Sequence, residues 1–501
     1  MNRIQPTIAS LLIDRAEKRP GAPFGTVEEA WSLGDAVAHA AGLAQVLADL
    51  GVRPGRRVAL VGRTSTAYLV AWAGLQLAGV ETALVNPDYP ASLLAEMLKN
   101  LVPDVVAWSG IAPYRSVDAA AMHIDLTQLT AGNIRVDDGS ELHCNPAGTE
   151  GVAGLSRRPD QIAGYMHTSG TSGVPKFCAQ SQEYFLRLGR FVADALCLSA
   201  RDIVFAPLPM FHINPLGYGV LGGLTGYAGV LGASRFSASG FWSAVRQSAA
   251  TIAVLHAPPV EILKRAVTPE SASGHGLRAI FWADADFLER FGIPLALSGY
   301  GSTEVGGLSH VWKWRIGERC DVPEGMSRYA GAARPDVEWR VSDADEILIR
   351  GRRPGVLFSG YVRGGNVVSP LDQEGWFHTG DLGRIDDDGN LVFIERRTES
   401  IRVKGEFVPI GFVEEKFASI PGVDDVTLWR TPSDLVDDEV VLYVVAAVLP
   451  IERIVEVAAE LPSFMRPALL RHVAHLPRDP GVGKVQRRLL ADLVCVEERR
   501  L

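Results

Sequence analysis

A chain of 501 residues is too long for one ordinary hydrophobic core, so two to four domains or subdomains are expected. Its 47% apolar and 21% charged residues describe a soluble globular protein. A net charge of −9 without any long basic run argues against a general nucleic-acid surface, although a few local cations suffice for a small anionic ligand. The five cysteines (Cys144, Cys178, Cys197, Cys320, Cys495) are scattered, odd in number and lack metal-ligand spacing. They read as reduced thiols of a cytoplasmic enzyme. Apolar runs such as Tyr68 to Val80 are too short to span a bilayer, and no secretory signal is recognisable.

In chain order, a short amphipathic helix follows Pro6, and Asp35 to Leu50 is predicted helical, ended by Gly51. Arg57 to Val61 reads as a buried strand, Ala67 to Leu77 as a helix, Glu81 to Val85 as a strand with a turn at Asn86-Pro87, and Val102 to Trp108 as a strand. This alternation implies a largely parallel sheet covered on both faces. Residues 130–159 are polar and read as a connector. A second alternating region follows, with strands at Ile203 to Ala206, Ile280 to Trp282 and Leu295 to Ser298. From Gly331 to Ile394 short strands separated by Gly and Asp turns suggest a small β-rich unit. The last hundred or so residues read as an α+β module: a helix at Val413 to Ala418, strands at Asp425 to Trp429 and Val440 to Val448, and a helix at Ile454 to Leu461.

Tyr165 to Lys176 reads Tyr-Met-His-Thr-Ser-Gly-Thr-Ser-Gly-Val-Pro-Lys. Gly170 and Gly173 let backbone N–H groups converge, Thr168, Ser169, Thr171 and Ser172 add short donors, and Lys176 adds a compact charge. That inventory suits a polyphosphate, or a polar surface loop. It is not a Walker A loop, because Phe177 follows the lysine.

Taken with Tyr300-Gly301-Ser302-Thr303-Glu304, Gly375-Trp376-Phe377-His378-Thr379-Gly380-Asp381 and Gly481-Val482-Gly483-Lys484, this loop resembles the acyl-adenylate-forming superfamily of acyl-CoA synthetases, adenylation domains and beetle luciferases. The four motifs stand in the family's order and span most of the chain. The resemblance implies an α/β fold: a large N-terminal domain, residues 1–396, of stacked, mostly parallel sheets with helices and a small β-rich subdomain. A small mobile α+β domain, residues 397–501, completes it. It implies ATP, Mg²⁺ and coenzyme A as cofactors, and a monomer or homodimer. The phosphate loop would hold the β- and γ-phosphates, Thr303 would donate to the α-phosphate, Glu304 with Thr168 would serve the metal, and Tyr300 would stack on adenine. Asp381, expected in a loop, and Arg396 would meet the ribose. Lys484 would bridge the substrate carboxylate and the α-phosphate.

For the second half-reaction, the segment Arg402-Val403-Lys404-Gly405-Glu406 would line a pantetheine tunnel after rotation of the C-terminal domain, Lys404 and Gly405 approaching the cofactor. Thr398 stands at the hinge, where relatives usually carry Asp or Lys. His212, in Met210-Phe211-His212-Ile213-Asn214, matches an aromatic-histidine gate and replaces the aspartate that pairs an amino acid's ammonium group. Phe281-Trp282-Ala283-Asp284-Ala285-Asp286 stands where a glycine-small-proline turn is expected, so Trp282 would narrow the acyl pocket, and Asp284 or Asp286 would meet a polar group or solvent. Phe177 and Gln182 are two more departures from the pattern. The expected function is an AMP-forming carboxylate–CoA ligase for a fatty, aryl or alicyclic acid. The alternatives are an acyl-AMP ligase loading a carrier-protein thiol and a non-catalytic nucleotide-binding relative.

Overall fold

The computed structural model describes residues 6–89, 91–111, 121–168, 175–317, 329–396, 401–403, 406–408, 410–432, 438–461, 463, 465–479 and 483–501. The chain forms two compact units. One comprises Met1–Trp339 and Ile349–Phe377, the other Arg340–Leu348 and His378–Leu501.

The first unit contains two large sheets. In a ten-stranded sheet, the apolar strands Arg57–Gly62, Glu81–Val85, Val105–Ser109, Met122–Asp125 and Ile162–Thr168 run parallel at the centre. Antiparallel strands extend both sides. Val58 to Val61 are fully buried, which is what a strand covered on both faces requires. The helices Leu33–Asp49 and Thr66–Leu77 begin at serine caps, Ser32 and Ser65, whose hydroxyls accept the N–H groups of Asp35 and Tyr68. The second sheet has a parallel centre of Pro23–Thr26, Gly229–Gly232, Ile203–Ala206, Ile252–Ala253, Ala279–Phe281 and Leu295–Ser302. It passes through antiparallel pairing to Gly307–Arg315 and Tyr329–Ala333.

Several expectations shift. The presumed connector at 130–159 contains an antiparallel pair, Asn133–Val136 with Glu141–His143, whose polar sequence follows from its place at the sheet's edge. The strand expected from Val102 begins only at Val105, because Val102 adopts φ 53°.

In the second unit, Asp425–Pro432, Asp438–Val445, Leu469–Val473 and Cys495–Arg500 form a four-stranded sheet. The helices Ile410–Ala418 and Ile451–Glu460 supply Val413, Phe417, Ile454 and Ala458 to its core. Among the described residues, no helix is long and apolar enough to cross a membrane.

A buried charge cluster ties the first unit together. Arg187 and Arg334, 3% and 4% exposed, both pair with Asp336 and both donate to the carbonyl of Gly306. Burial works against ionisation of Asp336, yet the two guanidinium groups hold its carboxyl below the usual range. Burial and the neighbouring Arg334 bring Arg187 down to about 10. Removing the anion would leave two buried cations uncompensated. Asp336→Asn is therefore expected to cost about 3 kcal/mol or more of unfolding free energy, measured by denaturant titration.

Candidate active site

The sequence motifs of the first unit gather where parallel strands end. Thr168 closes the strand Ile162–Thr168 and Lys176 opens the strand Lys176–Ser181. The two residues are direct cross-strand partners. Ser169, Gly170, Thr171, Ser172 and Gly173 lie outside the described residues.

Tyr300, Gly301 and Ser302 end the strand Leu295–Ser302, and Thr303 and Glu304 occupy the turn that leads into Gly307–Arg315. The antiparallel partner passes so close that a Cβ on Gly301 would stand 1.9 Å from the Gly307 carbonyl oxygen, so glycine is required there. This turn is held from several directions. The Tyr184 hydroxyl donates to the Thr303 carbonyl at 2.7 Å, the Phe358 N–H donates to the Glu304 carbonyl at 3.0 Å, and the Tyr361 hydroxyl donates to Glu304 Oε1 at 3.0 Å. Arg187 and Arg334 fix Gly306 two residues further on. Tyr300 is 8% exposed and packs near His310.

Residues that could hold Mg²⁺ and phosphates meet here. The Cys178 thiol lies near both the Thr168 hydroxyl and the Glu304 carboxylate, which brings those two oxygen-bearing side chains to one locality. Burial, then the Glu304 charge, raises the thiol well above its ordinary value. Hard oxygen donors and the Lys176 ammonium fit a magnesium-bound polyphosphate.

His212 follows the strand Ile203–Ala206 in a turn closed by its own N–H to the Pro209 carbonyl at 3.1 Å. It joins an aromatic group with Phe211 and His167, whose ring lies 5.8 Å from each. Burial lowers His167 to about 4, so the imidazole is neutral under ordinary conditions.

The altered strand end at 281–286 is now explicable. Trp282 takes φ 65°, and its N–H donates to the Leu297 carbonyl at 2.9 Å. Asp284 caps the helix Ala285–Phe291 through the Phe287 N–H at 2.9 Å and pairs with Lys264, which Asp286 also approaches at 3.5 Å. Both acids are thus committed to protein partners. Phe177 is fully buried against the first sheet, and Gln182 accepts the N–H of Ile8 at 2.9 Å, capping the first helix. These two departures alter packing.

In the second unit, Asp381 lies in the strand Phe377–Ile385, a correction to the expected loop. Thr379 turns back to accept its N–H at 3.0 Å, and Glu346 accepts the Gly380 N–H at 2.9 Å, so side chains satisfy both backbone donors around the glycine. Asp381 is 3% exposed and stands directly across from Arg396 in the antiparallel register. Two residues distant in sequence and both assigned to ribose are therefore neighbours. Lys484 is exposed at a tight turn where Gly483 takes φ 69° and the Asp479 N–H donates to the Lys484 carbonyl at 2.8 Å. Ile401–Val403 pairs with Glu406–Val408, while Lys404, Gly405 and Thr398 lie outside the described residues.

Tyr184, Tyr361, Arg187 and Arg334 had no signal in the sequence motifs. Each acts across a long sequence separation that no local pattern reports.

Fold and site together define an adenylate-forming enzyme. The chain belongs to the AMP-binding enzyme family, which it matches over residues 12–369. It is an AMP-forming ligase of the acyl-CoA synthetase type that uses ATP, Mg²⁺ and coenzyme A. Among similar proteins, the sulfoacetate–CoA ligase of Cupriavidus necator is 28% identical, covering 96% of either chain. The 4-coumarate–CoA ligase 3 of Arabidopsis thaliana is 24% identical over 95% of this chain and 89% of its own. The o-succinylbenzoate–CoA synthetase of Bacillus subtilis, solved with its acyl-adenylate, superposes with a TM-score of 0.80 at 21% identity, covering 97% of this chain and 99% of its own.

The neutral, buried His167 makes stability pH-dependent. An unfolded imidazole titrates near 6.5 and the folded one at about 4. Between those values the unfolded chain binds the extra proton, so stability falls as pH falls. His167→Phe is expected to flatten the dependence of unfolding free energy on pH in that window, by up to about 1.4 kcal/mol per pH unit, read from denaturant titrations across the range.

Proposed function

We propose that the protein joins a carboxylic acid without an α-amino group, of the fatty, aryl or alicyclic kind, to coenzyme A. The carboxylate oxygen attacks the α-phosphorus of ATP, the bond to pyrophosphate breaks, and the thiol of coenzyme A then displaces AMP from the acyl carbon. The observation that carries this reading is the turn at Thr303-Glu304, a donor and an acid held by Tyr184, Phe358 and Tyr361 beside Thr168. A preorganised polar turn of this kind does no reorganising when charge develops, and that is what adenylyl transfer asks of a protein.

The roles are those that the family resemblance implies for these positions. Thr168, Ser169, Gly170, Thr171, Ser172, Gly173 and Lys176 cradle the β- and γ-phosphates. Thr303 donates to the α-phosphate, Tyr300 and its neighbours Gly301 and Ser302 face the nucleoside, and Asp381 with Arg396 takes the ribose hydroxyls. Bound Mg²⁺ neutralises phosphate charge, with Glu304 and Thr168 as its protein oxygens. Lys484 brings a point charge to the carboxylate and α-phosphate. The domain of residues 397–501 reorients between the half-reactions, bringing Lys404 and Gly405 to the thiol channel.

Three features bear on the acid. His212, beside Phe211, is in the position of a gate and offers no carboxylate to an ammonium group. Asp284 is already paired with Lys264 and with its own helix. Trp282 places an indole at the end of a central parallel strand, where a small residue would leave more room. These favour an uncharged acyl chain or ring of limited size. The relatives' named acids, 4-coumarate and sulfoacetate among them, show that the family scaffold accepts varied chemistry. A cytoplasmic location agrees with the described cysteines, Cys144, Cys178, Cys197 and Cys495, being unpaired and with the intracellular supply of ATP and coenzyme A.

The test is pyrophosphate release from ATP and Mg²⁺ with fatty, aryl, alicyclic and amino acids, with and without coenzyme A. Release selective for one non-amino acid and repeated only with coenzyme A is the expected result. A single burst indifferent to coenzyme A would replace it with a carrier-protein acceptor. Lys484→Ala is expected to slow adenylation by about 100-fold or more while sparing thioester formation from supplied acyl-adenylate. An equal loss in both half-reactions would remove Lys484 from the first.

A further inference from the structure

Tyr361 belongs to none of the motifs, yet it touches two of them. It lies on the strand Gly360–Arg363, which pairs antiparallel with Lys176–Ser181 and places Tyr361 directly opposite Cys178. Its hydroxyl donates to Glu304 Oε1 at 3.0 Å. The Lys176 ammonium sits 5.6 Å from the centre of its ring, on the face where a cation is favoured. The ring is braced edge-on by Phe358 at 4.9 Å, and the Phe358 N–H holds the Glu304 carbonyl. One side chain thus contacts the acid assigned to the metal and the cation assigned to the phosphates.

We infer that Tyr361 is a positioning residue for magnesium: its hydroxyl holds the Glu304 carboxylate by one oxygen, so that the group would already be oriented when the cation binds. A free glutamate side chain has three rotatable bonds, and ordering it at the moment of metal binding costs affinity. A hydrogen bond to one oxygen meets that cost during folding, as partners of metal-binding carboxylates generally do. Because the ring also lies beneath Lys176, the same residue sets the spacing between the phosphate-binding cation and the metal-binding anion. The inference rests on the assignment of Glu304 to Mg²⁺ and is independent of which acid the enzyme activates.

The experiment measures binding of a non-hydrolysable ATP analogue to the full-length protein as Mg²⁺ is raised, for the wild type, Tyr361→Phe and Glu304→Gln. Tyr361→Phe keeps the ring, the Phe358 contact and the cation–ring contact and removes one oxygen. Its expected signature is unchanged affinity without Mg²⁺, an unchanged melting temperature, and a Mg²⁺ half-saturation point raised by about tenfold. An unmoved half-saturation point overturns the inference. So does an equal loss of affinity with and without Mg²⁺, or a lower melting temperature accompanying the loss, since either places the hydroxyl in packing. Glu304→Gln separates the two levels of the argument. If it raises the Mg²⁺ requirement and Tyr361→Phe does not, only the positioning role fails. If neither variant moves it, the assignment of Glu304 to the metal fails as well.

Discussion

Two guanidinium groups donating to one carbonyl, that of Gly306, are the constraint on which the turn at Thr303-Glu304 depends. Glu304 precedes that carbonyl by two residues, and its own backbone is anchored through Phe358. Arg187 also reaches the carbonyls of Gly355 and Val356, so helix Gln182–Ala195, the turn after Glu304 and the segment before Phe358 share one buried charge centre. Such a centre is expensive to desolvate, and Asp336 makes it tolerable. The return is rigidity at a turn whose side chains must be set before substrate arrives.

Around this turn the protein avoids mobile charge. His167 beside the site and His310 beneath Tyr300 are both kept neutral by burial, His310 lowered to about 3 with help from Arg334. Asp284 and Asp286 are occupied by Lys264. Lys176 and Glu304 are the charged residues of the motifs described in this unit, and Tyr361 spans the two.

Much of the architecture was legible because burial on both faces writes itself as continuous apolar runs. Glu81–Val85 and Ile203–Ala206 emerged with the boundaries read from sequence. Strands without that signature were missed: Asn133–Val136 and Glu141–His143 lie at a sheet edge, where polar residues are at home. Asp381 was mistaken for a loop residue because Gly380 reads as a turn, whereas φ 70° there is accommodated within the strand and compensated by Thr379 and Glu346. Motif residues could be named from local sequence alone. Their supports could not, because Tyr184, Arg187, Arg334 and Tyr361 act through contacts that exist only once the sheets are assembled.

The strand carrying Tyr361 also completes a sheet begun far earlier in the chain. Lys176–Ser181 is flanked by Ile162–Thr168 on one side and by Gly360–Arg363 on the other. During synthesis, the strand Lys176–Ser181 therefore carries an open edge until residue 363 has left the ribosome. An open strand edge invites pairing with other chains. The strand carrying Tyr361 thus both braces Glu304 and covers the Lys176–Ser181 edge, and Asn366–Val368 pairs with it in turn, so a product truncated before residue 360 would lose solubility.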